Sequence, residues 1–194
     1  MNVLIFRASG PLLGAVLLVA VSGAMAERAD NGKPVQIAAD AMRYDDVKQT
    51  SVWTGNVIAT KGTIVIKGDV VEVREDAEGY QHGTITGNAK KRAFFRQKRD
   101  SADEFMEGEG ESIVYDGKKD IIQFVKNAEV RRYRGTTLAD EIKGTLIVYE
   151  NLNDRFSADG SSALTGVGSG RVSATISPKP AAQRAGVKTE SAPK

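Results

Sequence analysis

The sequence contains no cysteine and a single histidine, His82. Without cysteine the chain can form neither disulfides nor zinc–thiolate centres, so its stability must come from a core and from backbone pairing. A catalytic Ser-His-Asp triad would have to use His82, which follows a glycine turn at Gly79 and is more simply read as a solvated side chain. No P-loop or dinucleotide-binding fingerprint is present either. We therefore predict no enzymatic activity, no metal and no cofactor.

Proline is missing from the whole interval between residues 35 and 177, since the five prolines lie elsewhere, at Pro11, Pro34, Pro178, Pro180 and Pro193. Proline is excluded from central β-strands because it cannot donate a ladder hydrogen bond. The same interval contains fifteen glycines. A long proline-free run interrupted by glycines predicts one domain made of strands and turns.

Apolar and polar residues alternate in many short segments, such as Ile122 to Phe124 and Val172 to Ile176. A period of two residues is typical of strands with one buried face. We place turns at the intervening glycines, including Gly55, Gly68 and Gly144. The spacing predicts an all-β fold of roughly fourteen to sixteen short antiparallel strands.

Aromatic residues are scarce, at 6% of the chain, and the formal net charge is only +2. The short strands and few aromatics argue against an outer-membrane barrel, which needs longer strands and aromatic girdles. The near balance of charge argues against a nucleic-acid-binding protein, which would show a strong basic excess.

The ends of the chain differ from its centre. Residues 12–21 are apolar and are followed by Ala24-Met25-Ala26, a pattern typical of a cleaved signal peptide and too short for a membrane span. We expect residues 1–26 to be removed on export and 27–34 to form a polar lead. The domain should then occupy residues 35–177, followed by a disordered tail at 178–194.

Residues 90–99 read Lys-Lys-Arg-Ala-Phe-Phe-Arg-Gln-Lys-Arg and are followed by six acidic residues within 100–111. One interpretation is an anion site for a phosphate or a lipid headgroup, with contacts from Lys90, Lys91, Arg92 and Arg96. The other is a hairpin held by cross-strand ion pairs, which we slightly favour. The two interpretations are compatible if the basic strand borders a groove.

The chain also contains a weak internal repeat. The segment 39–46 is echoed by 110–117, and Gly55-Asn56-Val57-Ile58 is echoed by 126–130. Gly62-Thr63 aligns with Gly135-Thr136, and Gly68-Asp69 aligns roughly with Ala139-Asp140. Such repeats indicate stacked strand units that share one core.

Trp53 and Phe124 occupy equivalent places in the repeat. Both could fill a closed core, or both could line an apolar interior left open along one side. Alternation along a strand does not distinguish a filled core from an open groove.

Several of these segments together resemble the OstA-like β-jellyroll family: 33–40, Trp53 to Val57, 60–69 and the repeat near 126–150. The resemblance covers about residues 33–177, and it is closest to the soluble periplasmic bridge components of lipopolysaccharide export. It implies a twisted jellyroll, open along one side, whose apolar interior holds the acyl chains of lipid A.

The resemblance also implies partners. The first strand, Val35 to Ala38, would meet an LptC-like inner-membrane protein, and the last, Arg171 to Ser177, an LptD-like outer-membrane protein. Copies of the chain would associate head to tail through the same edges. The alternative is a purely structural assembly module, or an LptC- or LptD-type jellyroll, without a lipid-carrier role of its own.

Groove residues follow from the resemblance and from alternation. Family positions point to Val35, Ile37, Phe95 and Tyr115. Alternation adds Ile64, Ile66, Ile113 and Phe124.

Overall fold

The computed structural model describes residue 30 and residues 33–99, 103–161 and 170–178. The expected signal peptide at 1–26 and nearly all of the 178–194 tail lie outside the described residues. The described part contains twelve strands and one short 3-10 turn at Asn151–Asn153. The strands are β1 Gln36–Ala38, β2 Ala41–Asp45, β3 Thr50–Lys61, β4 Ile64–Glu75, β5 Gln81–Thr86, β6 Ala93–Lys98, β7 Glu104–Gly110, β8 Ser112–Asp116, β9 Ile121–Arg134, β10 Thr137–Glu150, β11 Arg155–Asp159 and β12 Ser173–Ile176.

The strands form two antiparallel layers that share four long strands, β3, β4, β9 and β10. One half of each long strand belongs to the first layer, in the order β2–β3–β4–β5–β8–β9–β10–β11. The other half belongs to the second layer, in the order β1–β3–β4–β6–β7–β9–β10–β12. This arrangement confirms the all-β prediction.

The described strands number twelve rather than fourteen to sixteen because three of the expected turn glycines lie inside strands. The β3–β4 register shifts between Thr54 and Val57, and the β9–β10 register shifts beside Gly144. Gly55 has a φ of +80° in the first of these bulges. At such a bulge the strand bends and continues into the other layer. A glycine can therefore mark either a turn or a bend within a strand.

The internal repeat corresponds to two sets of six strands, which we call the first repeat (β1–β6, residues 36–98) and the second repeat (β7–β12, residues 104–176). In each, the first long strand pairs with the two preceding strands and the second long strand with the two following strands. The bend of each first long strand carries the same bond. Asn56 Nδ2 donates to Asp40 Oδ2 at 3.0 Å, and Asn127 Nδ2 donates to Glu111 Oε1 at 2.7 Å.

The register corrects one detail of the sequence alignment. Gly68 lies opposite Val57, and Gly144 lies opposite Ala128 at the equivalent bend. Gly68 therefore corresponds to Gly144 rather than to Ala139, because the β9–β10 hairpin extends further beyond its bend than the β3–β4 hairpin does.

The core lies between the layers and is densest in the second repeat. Phe124 in the first layer is fully buried and meets Phe95 of the second layer edge to face, with ring centroids 6.2 Å apart. Gly108 on β7 lies against the Phe124 ring. A Cβ atom at this position would overlap ring atoms, so the glycine leaves room for the ring. Because Gly108 has no side chain, the two layers can pack closely at this point.

Candidate functional site

An apolar cavity of about 320 Å³ lies between the two layers, mainly in the first repeat and at its junction with β8 and β9 of the second. It reaches the surface beside Val35, whose side chain is 46% exposed at the edge next to β1. The structure brings seven of the eight expected groove residues to this cavity: Val35, Ile37, Ile64, Ile66, Phe95, Ile113 and Tyr115. They come from four strands and the edge before β1, so only the fold unites them.

Phe124 is the exception. Its side chain is fully buried against Phe95 and Gly108 and does not line the cavity. Trp53, its repeat counterpart, does line the cavity, and its Nε1 donates to Ser51 Oγ at 3.1 Å. The two equivalent aromatic residues therefore differ, one filling a closed core and the other bordering an open space.

In the second repeat, aromatic rings occupy the place that corresponds to the β4–β5 wall of the cavity. Tyr149 and Phe156 are register partners on β10 and β11, and their rings stack with centroids 4.5 Å apart. The corresponding partners on β4 and β5 are Val73 and Gly83, both of which line the cavity. Two small residues in place of two rings leave the space unfilled.

Sequence reasoning did not assign several further lining residues: Val71, Val73, Ile85 and Ile122. On β4 the inward-facing positions change from even to odd numbers at the bend, from Ile64 and Ile66 to Val71 and Val73. The sequence does contain a sign of this change, because the inward-facing apolar positions shift by one residue across Gly68-Asp69. Such a shift marks a bulge rather than a turn.

Polar groups lie at the cavity wall. Burial, together with the charge and hydrogen bond of Asp120 and the charge of Asp116, raises the pKa of Tyr115 to about 12, so its hydroxyl stays neutral. Gln97 is only 3% exposed. Asn151 Oδ1 is buried without a hydrogen-bond donor in the described part of the chain and remains available to a ligand.

His82 borders the cavity but is held between two carboxylates. Its Nε2 lies 3.0 Å from Asp76 Oδ2, and its Nδ1 lies 3.6 Å from Asp116 Oδ1. This hydrogen bond to His82 is the main cause that lowers the pKa of Asp76. With a carboxylate at each ring nitrogen, the imidazole connects the β4–β5 turn to the end of β8.

The expected headgroup contacts lie away from the cavity lining. Arg96 is on the outer face of β6, where its Nη1 donates to Glu107 Oε1 at 2.7 Å. Arg92 pairs with Glu109 and Glu129. Lys90 and Lys91 are exposed in the turn that begins at Asn88. The basic strand and the acidic strand do form a hairpin, as the ion-pair interpretation expects, while a headgroup role for these four residues stays a prediction.

The described ranges contain neither a metal-binding cluster nor a membrane-spanning helix. No group of three His, Cys, Asp or Glu side chains there could hold a metal ion. Within those ranges, too, no helix has the length and apolar character needed to cross a bilayer.

Comparison with known proteins places this arrangement in a family. Residues 36–155 match the family described as LptA/(LptD N-terminal domain) LPS transport protein. The lipopolysaccharide export system protein LptA of Escherichia coli K12 is 30% identical over 154 residues, which cover 79% of this chain and 81% of the relative. LptA of Haemophilus influenzae is 26% identical over 172 residues, covering 89% of this chain and 93% of the relative.

A solved structure shows the same fold. The crystal structure of LptH from Pseudomonas aeruginosa, described as the LptA homologous periplasmic component of the conserved lipopolysaccharide transport device, superimposes with a TM-score of 0.67. It is 23% identical and covers 77% of this chain and 99% of that structure. The family match, the relatives and the shared fold agree, and the chain belongs to the family of LptA and LptD N-terminal-domain lipopolysaccharide transport proteins.

Proposed function

We propose that the protein is a periplasmic bridge component that carries lipopolysaccharide from the inner towards the outer membrane, without enzymatic chemistry of its own. The single observation that carries this proposal is the apolar cavity between the two layers, formed mainly by the first repeat. Each CH₂ group of an acyl chain costs about 0.8 kcal/mol to expose to water, so a lipid crossing an aqueous space needs an apolar enclosure. The cavity supplies one, with walls that are mainly Ile, Val, Phe and Trp side chains.

The volume limits what the cavity encloses. At about 320 Å³ it lies at the lower end of the range for ligand pockets. We infer that it encloses acyl chains of lipid A, while sugars and phosphates stay outside. Export through a cleaved signal peptide at residues 1–26 is part of the same proposal.

The junction between the repeats supports assembly through the free edges. Within the chain, β6 pairs with β7 and β5 pairs with β8, which joins the two repeats in both layers. Strands β1 and β2 are equivalent to β7 and β8, and strands β11 and β12 are equivalent to β5 and β6. A second copy could therefore add β1 and β2 to β12 and β11 in the way that the repeats already join.

Exposed apolar residues at these edges also support assembly there. Val35, Met42 and Tyr44 are 46%, 51% and 54% exposed on the β1–β2 side. Val172 and Ile176 are 44% and 76% exposed on the β12 side. In the described ranges β1, β2, β11 and β12 each pair along one edge only. We infer that an LptC-like jellyroll covers the β1–β2 edge, an LptD-like jellyroll covers the β11–β12 edge, and further copies join head to tail.

Lipid binding is tested with a pair of substitutions on one strand. Ile66 lines the cavity, whereas Val65 points to the opposite face of β4 and lies opposite Arg96. We expect Ile66→Glu to abolish retention of lipid A by the purified protein, because a carboxylate would be placed in the apolar space. Val65→Glu should retain lipid A and serves as the control.

Bound lipid is measured by mass spectrometry of purified protein, and folding by circular dichroism. Wild-type protein that assembles but retains no lipid A would contradict the proposal and support a purely structural module. Equal retention by the two variants would contradict the cavity as the site.

A further inference from the structure

Lys61 is an inward-facing cation at the end of an otherwise apolar stripe. On β3 the side chains of Val57 and Ala59 are buried between the layers, and Lys61 follows with the same alternation. Lys61 is partly buried and lines the cavity. The β1–β3 register sets Gln36 opposite Thr60, so Lys61 lies beside Val35, where the cavity reaches the surface.

The second repeat shows how this chain neutralises the equivalent charge. Arg132 occupies the position of Lys61 on β9 and is held by Asp140, with its Nε donating to Asp140 Oδ2 at 2.6 Å. Burial opposes ionisation of Asp140, yet the Ser177 amide and the Arg132 guanidinium together lower its pKa. The position across the hairpin from Lys61 is taken by Ile64, which has no charge to offer.

Several other cations on the described strands pair with carboxylates, whereas Lys61 does not. Arg96, Arg131 and Arg134 each contact a glutamate. Asp30, which precedes β1, contacts the turn next to Lys61, where its carboxylate accepts from Thr63 N at 2.9 Å and from Thr63 Oγ1 at 2.5 Å. Among the described residues no hydrogen bond or ion pair engages the Lys61 ammonium.

We propose that Lys61 binds an anionic oxygen group, a phosphate or a carboxylate, on the headgroup of the amphiphile whose acyl chains occupy the cavity; this rests on the proposed function. An ammonium that is partly withdrawn from water is stabilised by an oxyanion in hydrogen-bond reach. The headgroup anion would take the place that Asp140 fills in the second repeat. Lys61 would thus orient the lipid, with its charged end at the surface beside Val35.

The test compares the affinities for two lipid probes in the wild type and in variants of Lys61. Purified protein is titrated with lipid A bearing its phosphates and with lipid A from which the phosphates have been removed. We expect the wild type to prefer the phosphorylated probe by about tenfold, the size of one charge-assisted hydrogen bond. Lys61→Met should lose that preference and keep its affinity for the dephosphorylated probe, and Lys61→Arg should restore it.

A matched control removes a different lysine. Lys67 lies on the outer face of β4, 5.6 Å from the Phe94 ring centroid, and is exposed. Lys67→Met should behave as the wild type with both probes. Raising the ionic strength should weaken binding of the phosphorylated probe to the wild type and leave Lys61→Met unchanged.

Each remaining outcome overturns the inference. A Lys61→Met variant that keeps the preference shows that the headgroup anion binds elsewhere, and one that loses both probes equally shows that Lys61 only supports the fold. Displacement of lipid A by inorganic phosphate, but not by chloride of equal ionic strength, would mark a site for free phosphate instead. If the wild type binds neither probe, the proposed function itself fails.

Discussion

At the scale of single residues, the close packing of the second repeat depends on Gly108, which has no side chain. Gly108 lies opposite Val130 in the second layer and meets the flat Phe124 ring of the first. Its repeat counterpart is Ile37, which lines the cavity. The sequence shows a glycine in a strand, which usually marks a bulge or a close approach, but the ring that approaches could not be identified before the layers were placed.

Replacing Gly108 with alanine should therefore destabilise the protein. The added methyl group would overlap the Phe124 ring, and overpacking of this kind costs about 2 kcal/mol. The free energy of unfolding is measured by urea denaturation. Gly83→Ala is the control, because a Cβ there would have its nearest neighbour at 3.9 Å. The cost should shrink when Phe124→Leu is introduced as well, and an equal cost in both backgrounds would contradict the packing argument.

At the scale of elements, two hairpins of similar pattern create opposite interiors. Strands β4 and β5 present Val73 and Gly83 to the space between the layers, whereas β10 and β11 present the stacked rings of Tyr149 and Phe156. The hairpins share their bends and their pairing order. Side-chain volume at this pair of register partners is thus one cause of the difference between the open and the closed interior, together with Gly108.

The aromatic pair of the second repeat can be transferred to the first. We expect Val73→Phe combined with Gly83→Phe to fill the cavity and weaken lipid A binding about tenfold or more, since the acyl chains lose their enclosure. Stability should be kept, or raised by about 1 kcal/mol, as for other cavity-filling changes. Both are measured, by lipid titration and thermal unfolding.

The control places the same rings on the outer face. Glu72 and Thr84 are register partners on the same two strands and are exposed. Glu72→Phe with Thr84→Phe should leave lipid binding unchanged. Equal binding by the filled variant and the wild type would show that the acyl chains lie elsewhere.

These strands also show which features of the site a sequence pattern can predict and which it cannot. Alternation predicts that Ile64 and Ile66 face inward, and the structure places both at the cavity. It does not predict that the inward phase changes at Gly68, because a bulge and a turn leave the same glycine signal. Nor does it separate Trp53 from Phe124, whose sequence contexts are equivalent. That distinction depends on neighbours from distant strands, Gly108 above all, which no local pattern encodes.

At the scale of the whole molecule, the two repeats of one chain are joined by the same strand pairing that we propose between copies. The pairing of β6 with β7 sets Arg96 opposite Glu107 and Phe95 opposite Gly108. Transferred to the free edges, the same register sets Thr175 of one copy opposite Gln36 of the next, and Ala174 opposite Ile37. The internal junction therefore predicts the intermolecular register residue by residue.

Because the chain has no cysteine, this register can be tested by crosslinking without background. Directly opposed residues of antiparallel strands have Cα atoms about 5 Å apart, within the range that a disulfide spans. We expect the double variant Gln36→Cys and Thr175→Cys to form disulfide-linked ladders on oxidation, resolved by non-reducing electrophoresis.

The matched control changes the face but not the edge. Ala174 adjoins Thr175 on β12 and points to the opposite side of the strand. Gln36→Cys with Ala174→Cys should give far less ladder. Equal ladders from both pairs, or monomers from both, would rule out the internal junction as the template.

The position of this cavity in the chain has a consequence for the distance between cavities in an assembly. Each added copy would extend the first layer by eight strands, which at the usual strand spacing amounts to about 38 Å. Cavities would then recur at that interval, separated by the stacked Tyr149 and Phe156 rings of each second repeat. A lipid would travel in discrete steps between successive binding stations, and each step would require those two rings to move aside.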